Sequence, residues 1–445
     1  MISPATIKTL VNKTFPRFGV NKNQQITRLL YEISKRECIS PKEILQSLPR
    51  KAVKFPSLKN YLLSRRFPEA AAKGVEFSPY LPALEIDSKY KAKIEKAKLS
   101  PKNIFVEDVV RESYLVSRFK KRFPEAKVKT ISSLKDYIKE KRFGIKDYNK
   151  RRDNFFIIKE KFDFLKSCPC TANCIRCGYH ILNLGFGCIY ECTYCYLQEY
   201  VNSPGIIIPA NLNDFFKSFK QYKHNIRLGT GEFTDSLCLD DITEFSPQLV
   251  EFFKKYPQTS FELKTKSNNI KKLLSVSPGK NAVIAWSLNP QPIIDKNEFY
   301  SSSLNERLDA AAKCADAGYR IGIHFDPIFY YNGWEKDYEK VVDWLFDKIP
   351  GKKIAWISLG TFRFTRRLKK IIENRFPENN ILDAELLLDF DLKMRYLKNM
   401  RVDIYKKVIF RIKKHSKTVP VYLCMESKEV WKECDLPIQL TLTAI

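Results

Sequence analysis

The stretch 187–198 reads GCIYECTYCYLQ and carries three cysteines, Cys188, Cys192 and Cys195, spaced four and then three residues apart. A structural zinc site uses four ligands. An iron–sulfur cluster that only carries electrons also uses four thiolates. Three local thiolates leave one metal position open, as catalytic metal sites do for a substrate or cofactor. The glycines of GFGC (185–188) let the backbone bend closely around such a group.

Around this loop the chain alternates short apolar, β-rich runs with helical stretches. The runs are YHILNL (179–184), IRLGTGEF (226–233), SFELKTK (260–266), AVIAWSLN (282–289), YRIGIHFD (319–326), KIAWISLG (353–360) and VPVYLCME (419–426). Helices are expected between them over 246–256, 304–318 and 337–349. This alternation predicts an α/β fold: a partial (β/α) barrel of six or so parallel strands, the cysteine loop following the first. Polar residues stand at the strand ends: Glu232, Lys266, Ser287 and Asn289, His324 and Asp326, Thr361, Glu426. Barrels build active sites at that face. His324 there is a candidate proton or hydrogen-bond partner.

Upstream, SCPCTANCIRCG supplies Cys168, Cys170, Cys174 and Cys177, enough for zinc or a second iron–sulfur cluster. This site is expected to hold the basic N-terminal region against the barrel. The isolated Cys314 and Cys424 read as core. The expected organisation is a basic, mainly helical extension over 1–100, a small α/β unit over 101–165, a cysteine-rich connector over 166–180 and the barrel over 181–445. Within the α/β unit, NIFVEDVV (103–110), a helix and KVKTI (127–131) form a βαβ-type unit. LLSRRFPEA (62–70) and LVSRFKKRFPEA (115–126) echo each other, as a degenerate duplicate or a coincidence. RRDNFFIIKEK (151–161) interleaves aromatic and basic residues, a pattern suited to unstacked bases.

The 445 residues carry a formal charge of +28, of which +19 falls in residues 1–150 and +9 in the rest. Basic surfaces steer polyanions, so nucleic acid is the expected partner; the competing reading is a lysine-rich solvated surface. A hydrophobic content of 44% excludes a disordered chain. No run suits a membrane span, and the N-terminus carries no apolar export signal. The expected setting is the cytoplasm, where clustered cysteines bind metal rather than form disulfides.

The loop GCIYECTYCYLQ resembles that of the radical S-adenosylmethionine (SAM) superfamily. IFVEDVVRESYLVSRFKKRFPEAKV, RLGTGEFTDSL, ELKTK, WSLN, GIHFDPI, GW (333–334), SLGTFRF and VYLCMES extend the likeness, over 103–435, to the spore photoproduct lyase and DNA repair photolyase-like family. The resemblance implies a [4Fe-4S] cluster on Cys188, Cys192 and Cys195, with SAM on the open iron. It implies cleavage of SAM to a 5′-deoxyadenosyl radical and repair of a thymine dimer in damaged DNA. It further implies a flavodoxin- or ferredoxin-type electron donor. Tyr194 and Tyr196 match tyrosines beside SAM and the radical path, Lys266 a partner of the SAM carboxylate and Ser287 a hydroxyl near its polar end. Glu232 and Asn289 complete the expected cofactor site, and Cys238, Tyr196 and His324 the expected catalytic group.

One position departs from the family. Where characterised lyases carry a hydrogen-donating cysteine, this chain has Phe233, and Cys238 follows five residues later as a substitute donor or a core cysteine. Two rival readings follow: a radical SAM enzyme for RNA or a small metabolite, or a nucleic-acid-binding protein with structural metal clusters.

Overall fold

A computed structural model describes residues 3–49, 54–95, 98–139, 141–162, 166–171, 173–200, 204–221 and 226–438. All seven apolar runs form strands of one curled, parallel-dominated half-barrel. They are Tyr179–Ile181, Arg227–Thr230, Ser260–Thr265, Ala282–Ser287, Arg320–Ile328, Ile354–Thr361 and Val421–Leu423, adjacent in chain order. Here they are called the first to seventh barrel strands. Parallel strands covered on both faces need apolar residues at successive positions, and all six residues of Ala282–Ser287 are buried. Helices Phe245–Phe253, Leu304–Asp316 and Trp334–Lys348 lie between strands, as the periodicity predicts. Ser303 and Glu306 form a capping box that starts the second of these. Lys166–Ser167 pairs antiparallel with the first strand and ends the sheet opposite Val421–Leu423.

The connector after Lys166–Ser167 runs between the two free edges of the half-barrel. The Cys168 amide donates to Tyr179 O (2.8 Å), the Ile175 amide donates to Glu426 O (3.0 Å), and Cys174 bridges to Ser427.

A second, all-parallel sheet has the order Lys127–Ile131, Asn103–Glu107, Asn154–Ile158, Ile206–Pro209. The expected βαβ unit is present, with helix Tyr114–Arg122 between its strands. The stretch RRDNFFIIKEK is corrected: Phe155 and Phe156 are fully buried in a central strand and Arg151 is buried beside it, so none of the three is available to stack on a base. The fourth strand, Ile206–Pro209, comes from beyond the cysteine loop.

The chain divides into two compact units. One comprises Met1–Ala92, Phe329–Tyr331 and Thr361–Arg401; the other holds the remainder, with both sheets described above. In the first unit, helices Pro4–Thr14, Val20–Glu37, Pro41–Gln46 and Phe55–Arg66 bury Ile7, Val11, Ile26, Leu29, Leu30, Ile33 and Leu58. Ser40 and Glu43 form a capping box before Pro41. A chain of buried ion pairs crosses this unit. Arg28 meets Glu373 (2.6 Å), while Glu32 accepts from Arg66 (2.8 Å) and Lys369 (2.7 Å). The RRFPEA echo encodes one helix stop. Phe67 (φ −126°, ψ 63°) and Phe123 (φ −130°, ψ 69°) end their helices in the same conformation before a proline, and only the second copy lies between strands.

Candidate active site

The cysteine loop leaves the first barrel strand through a tied neck. Phe186 and Ile207 exchange both backbone hydrogen bonds (3.0 and 2.8 Å). The glycines serve this neck. Gly185 has φ +138°, and a Cβ there would lie 2.4 Å from Ile207 O; Gly187 has φ +90°. Beyond the neck, Glu191–Cys192 pairs antiparallel with Glu298–Phe299. Thr193 donates its amide to Asn297 O (2.9 Å) and its hydroxyl to Asn297 Oδ1 (2.7 Å). The Gln198 amide reaches the carbonyls of Thr193 (2.8 Å) and Cys195 (2.9 Å) from inside the turn.

Arg151 grips the same loop. Its guanidinium pairs with buried Glu191 (2.7 Å) and donates to Tyr190 O (2.6 Å) and Cys188 O (3.2 Å). This residue and Glu191 were missed from sequence, because an arginine in a basic run reads as surface.

Cys188, Cys192 and Cys195 lie within electrostatic reach of one another. Burial pushes the Cys192 thiol well up and Cys195 up to about 11. Cys188 is held below its ordinary value, chiefly by a hydrogen bond from the Cys238 thiol, against the opposing effect of burial. Among the described residues, no three His, Cys, Asp or Glu side chains converge as a single metal ion requires. A cluster holds its thiolates further apart than one ion does, and three soft donors on one short loop, Cys192 buried and Cys188 and Cys195 partly so, fit an iron–sulfur cluster.

The polar strand ends surround this loop. Glu298 is the hub: Tyr194 Oη and Asn289 Nδ2 (2.8 Å) donate to one carboxylate oxygen and Arg307 Nη2 (2.6 Å) to the other. Burial would raise the Glu298 carboxyl, but Arg307 and then Lys266 outweigh it and hold it at about 2. Tyr338 donates to Asn289 Oδ1 (2.7 Å). Lys266 Nζ stands 6.0 Å from the Tyr194 ring centroid. Ser287 is buried, and its carbonyl accepts from Arg307 (2.9 Å). Tyr196 donates to the Glu232 carboxylate (3.0 Å), which faces Lys264 at 3.9 Å.

Two further expected residues are engaged with neighbours of their own. His324 meets Glu262 (2.5 Å) inside the barrel, and Glu262 also binds Arg227 (2.9 Å). Cys238 faces the cysteine loop through Cys188, with its amide held by Asp235 (2.9 Å). Asp235 also binds the Thr265 hydroxyl (2.7 Å) and the Lys266 amide (2.7 Å). Phe233 stacks on Phe186 (6.0 Å) and meets Tyr200 edge-on (6.4 Å). Cys168, Cys170, Cys174 and Cys177 line the seam between the barrel's free edges.

The family model for spore photoproduct lyase matches residues 99–419. The chain belongs to the spore photoproduct lyase family. Spore photoproduct lyases of Clostridium acetobutylicum and Geobacillus sp. are 27% and 29% identical over 230 and 237 residues. These matches cover 50% and 52% of this chain and 66% and 67% of the relatives, so about two thirds of each relative is spanned. A solved spore photoproduct lyase complexed with dinucleoside spore photoproduct superposes on 73% of this chain and 99% of its own (TM-score 0.63, 22% identity). Another, with bound AdoMet and the same dinucleoside, superposes on 73% and 100% (TM-score 0.62, 23% identity). These two share the fold of the family's half-barrel.

Proposed function

We propose that the protein is a radical SAM lyase that repairs a thymine photoproduct in DNA. The observation that carries this reading is the thiol-bearing loop at the C-terminal end of the first barrel strand, in a chain of this family. Cys188, Cys192 and Cys195 would hold the [4Fe-4S] cluster. When bound, cluster and SAM supply one-electron cleavage to a 5′-deoxyadenosyl radical. Lys266 and Asn289, both beside the Glu298 hub, would bind the charged end of SAM, with Ser287 at the same strand end. Glu298 orients Tyr194 through its hydroxyl. Tyr196 and Glu232 form a phenol–carboxylate pair that holds a proton beside the loop. Relatives named for this lyase, and solved family members with AdoMet and the dinucleoside product of DNA damage, support the substrate class.

The net charge of +28 supplies sequence-independent affinity for the phosphate backbone. A lesion within a duplex must leave the stack to reach the barrel mouth. The cytoplasm suits twelve free cysteines, and a flavodoxin- or ferredoxin-type protein would deliver the electron. Among the described residues, no helix is long and apolar enough to cross a membrane.

Phe233 favours one alternative, a different substrate for the same radical, since it has no S–H group to pass a hydrogen rapidly to a carbon radical. One experiment separates the readings. The protein is reconstituted without oxygen, reduced with dithionite, and SAM cleavage is followed with and without ultraviolet-irradiated DNA. The proposal expects 5′-deoxyadenosine together with loss of the photoproduct. Absence of 5′-deoxyadenosine overturns the radical reading, and cleavage without repair moves the substrate to RNA or a metabolite.

A further inference from the structure

The half-barrel leaves two free edges, and residues 168–171 and 173–177 lie between them. Five thiols collect on that side. Cys168 and Cys170 hydrogen-bond through their side chains, and Cys177 lies within electrostatic reach of Cys170. Cys424 comes from the opposite edge, just past the seventh strand, to within the same reach of Cys168. Cys174 Sγ sits 3.4 Å from Thr171 Oγ1, beside the bridge to Ser427. Cys424 is therefore not an isolated core cysteine, as its sequence context suggests.

A second observation comes from the barrel interior. Arg227 is 1% exposed, lies over the Trp356 ring (4.1 Å) and is within electrostatic reach of Cys177. Its Nη2 serves Glu262 (2.9 Å) and Tyr422 (2.9 Å), while Nε and Nη1 have no acceptor among the described residues. An unsatisfied buried donor costs about 1–3 kcal/mol. Thiolate and sulfide sulfurs are acceptors of matching charge, and hydrogen bonds to them set the properties of iron–sulfur centres. An all-thiol donor set suits zinc or iron–sulfur. The buried Arg227 donors favour the cluster, whose sulfurs would accept from them.

We propose that Cys168, Cys170 and Cys177, with Cys424 from the facing edge, hold a second iron–sulfur cluster that closes the seam of the half-barrel, with Arg227 donating to its sulfur. The ligands come from both edges, so the cluster ties together strands that share no hydrogen-bonded ladder.

The test uses the full chain with Cys188, Cys192 and Cys195 all replaced by Ala, reconstituted with iron and sulfide without oxygen, then desalted. Iron, acid-labile sulfide and zinc are measured, and folding is checked by circular dichroism. Iron and sulfide remain bound in this variant. Adding Cys168→Ala and Cys170→Ala removes them. Cys424→Ser speeds their loss to a chelator several-fold, while Cys38→Ser changes nothing. A folded triple variant without iron and sulfide, or with zinc and no sulfide, overturns the proposal. Should the triple variant not fold, Cys168→Ala with Cys170→Ala in the otherwise native chain decides: iron per chain falls to about half, and unchanged iron overturns it. Failure of the first loop to take up a cluster leaves this readout intact, because the seam is scored in its absence.

Discussion

Phe233 is the residue on which the substrate question turns. It packs against Phe186 and Tyr200 at the neck of the cysteine loop, where the resemblance leads one to expect a thiol. The Cys238 thiol is engaged with Cys188 instead. Phe233→Cys should restore a weak S–H bond at that place and raise photoproduct repair at least several-fold over the native chain, read as thymine recovered per SAM cleaved. An unchanged ratio would show that the native enzyme finishes its reaction elsewhere. His324 and Glu262 give a pH signature. Burial, against Glu262, holds the His324 imidazole below its ordinary 6.5, while Arg227 and His324 hold the Glu262 carboxyl at about 2, against burial. Both groups bind protons more readily when unfolded, so stability is lost as pH falls: first below about 6.5 through His324, then from about 4.5 towards 2 through Glu262. His324→Gln should flatten the first limb of a plot of urea midpoint against pH and shorten the second, which Arg227 would then sustain without His324. The thiol spacing was legible from sequence because it is local. Arg151, Glu262, Glu298 and Arg307 were not, because a buried charge announces itself only through a partner distant in the chain.

At the scale of elements, the cysteine loop depends on a short strand pair and the charge beneath it. Glu298 and Arg307 are both fully buried, and Glu298 orients Tyr194. Arg307→Met leaves the carboxylate without its counter-charge and should cost about 3–5 kcal/mol in a denaturant titration. Adding Glu298→Gln should recover part of that loss while SAM binding stays weak. All seven barrel strands were readable, since doubly covered parallel strands write themselves as unbroken apolar runs. Asn154–Ile158 was hidden by the arginines and lysines flanking it. Ile206–Pro209 is four residues that end on a proline just after Pro204 and Gly205, and its partner lies on the far side of the cysteine loop.

At the scale of the molecule, part of the N-terminal excess of positive charge is committed internally. In the unit that combines Met1–Ala92 with Thr361–Arg401, Glu32 takes both Arg66 and Lys369. Glu32→Gln strands two buried cations and should destabilise that unit by about 3–5 kcal/mol, seen as an earlier melting transition. Helix periodicity revealed these helices but not their association with residues beyond 360, since nothing local specifies a partner so far along the chain. The neck at Phe186 and Ile207 sets a chronology of maturation. It forms when residues on either side of the loop meet, an encounter fast beside metal delivery. Under the proposed cluster reading, the tied neck would already frame the three thiols when iron arrives, and insertion would be a late event on a finished receptacle. Hydrogen exchange should record this order: the Ile206–Ile208 amides exchange slowly with or without iron, and those between Thr193 and Cys195 slow only after loading. Equal slowing at both places would place insertion before closure.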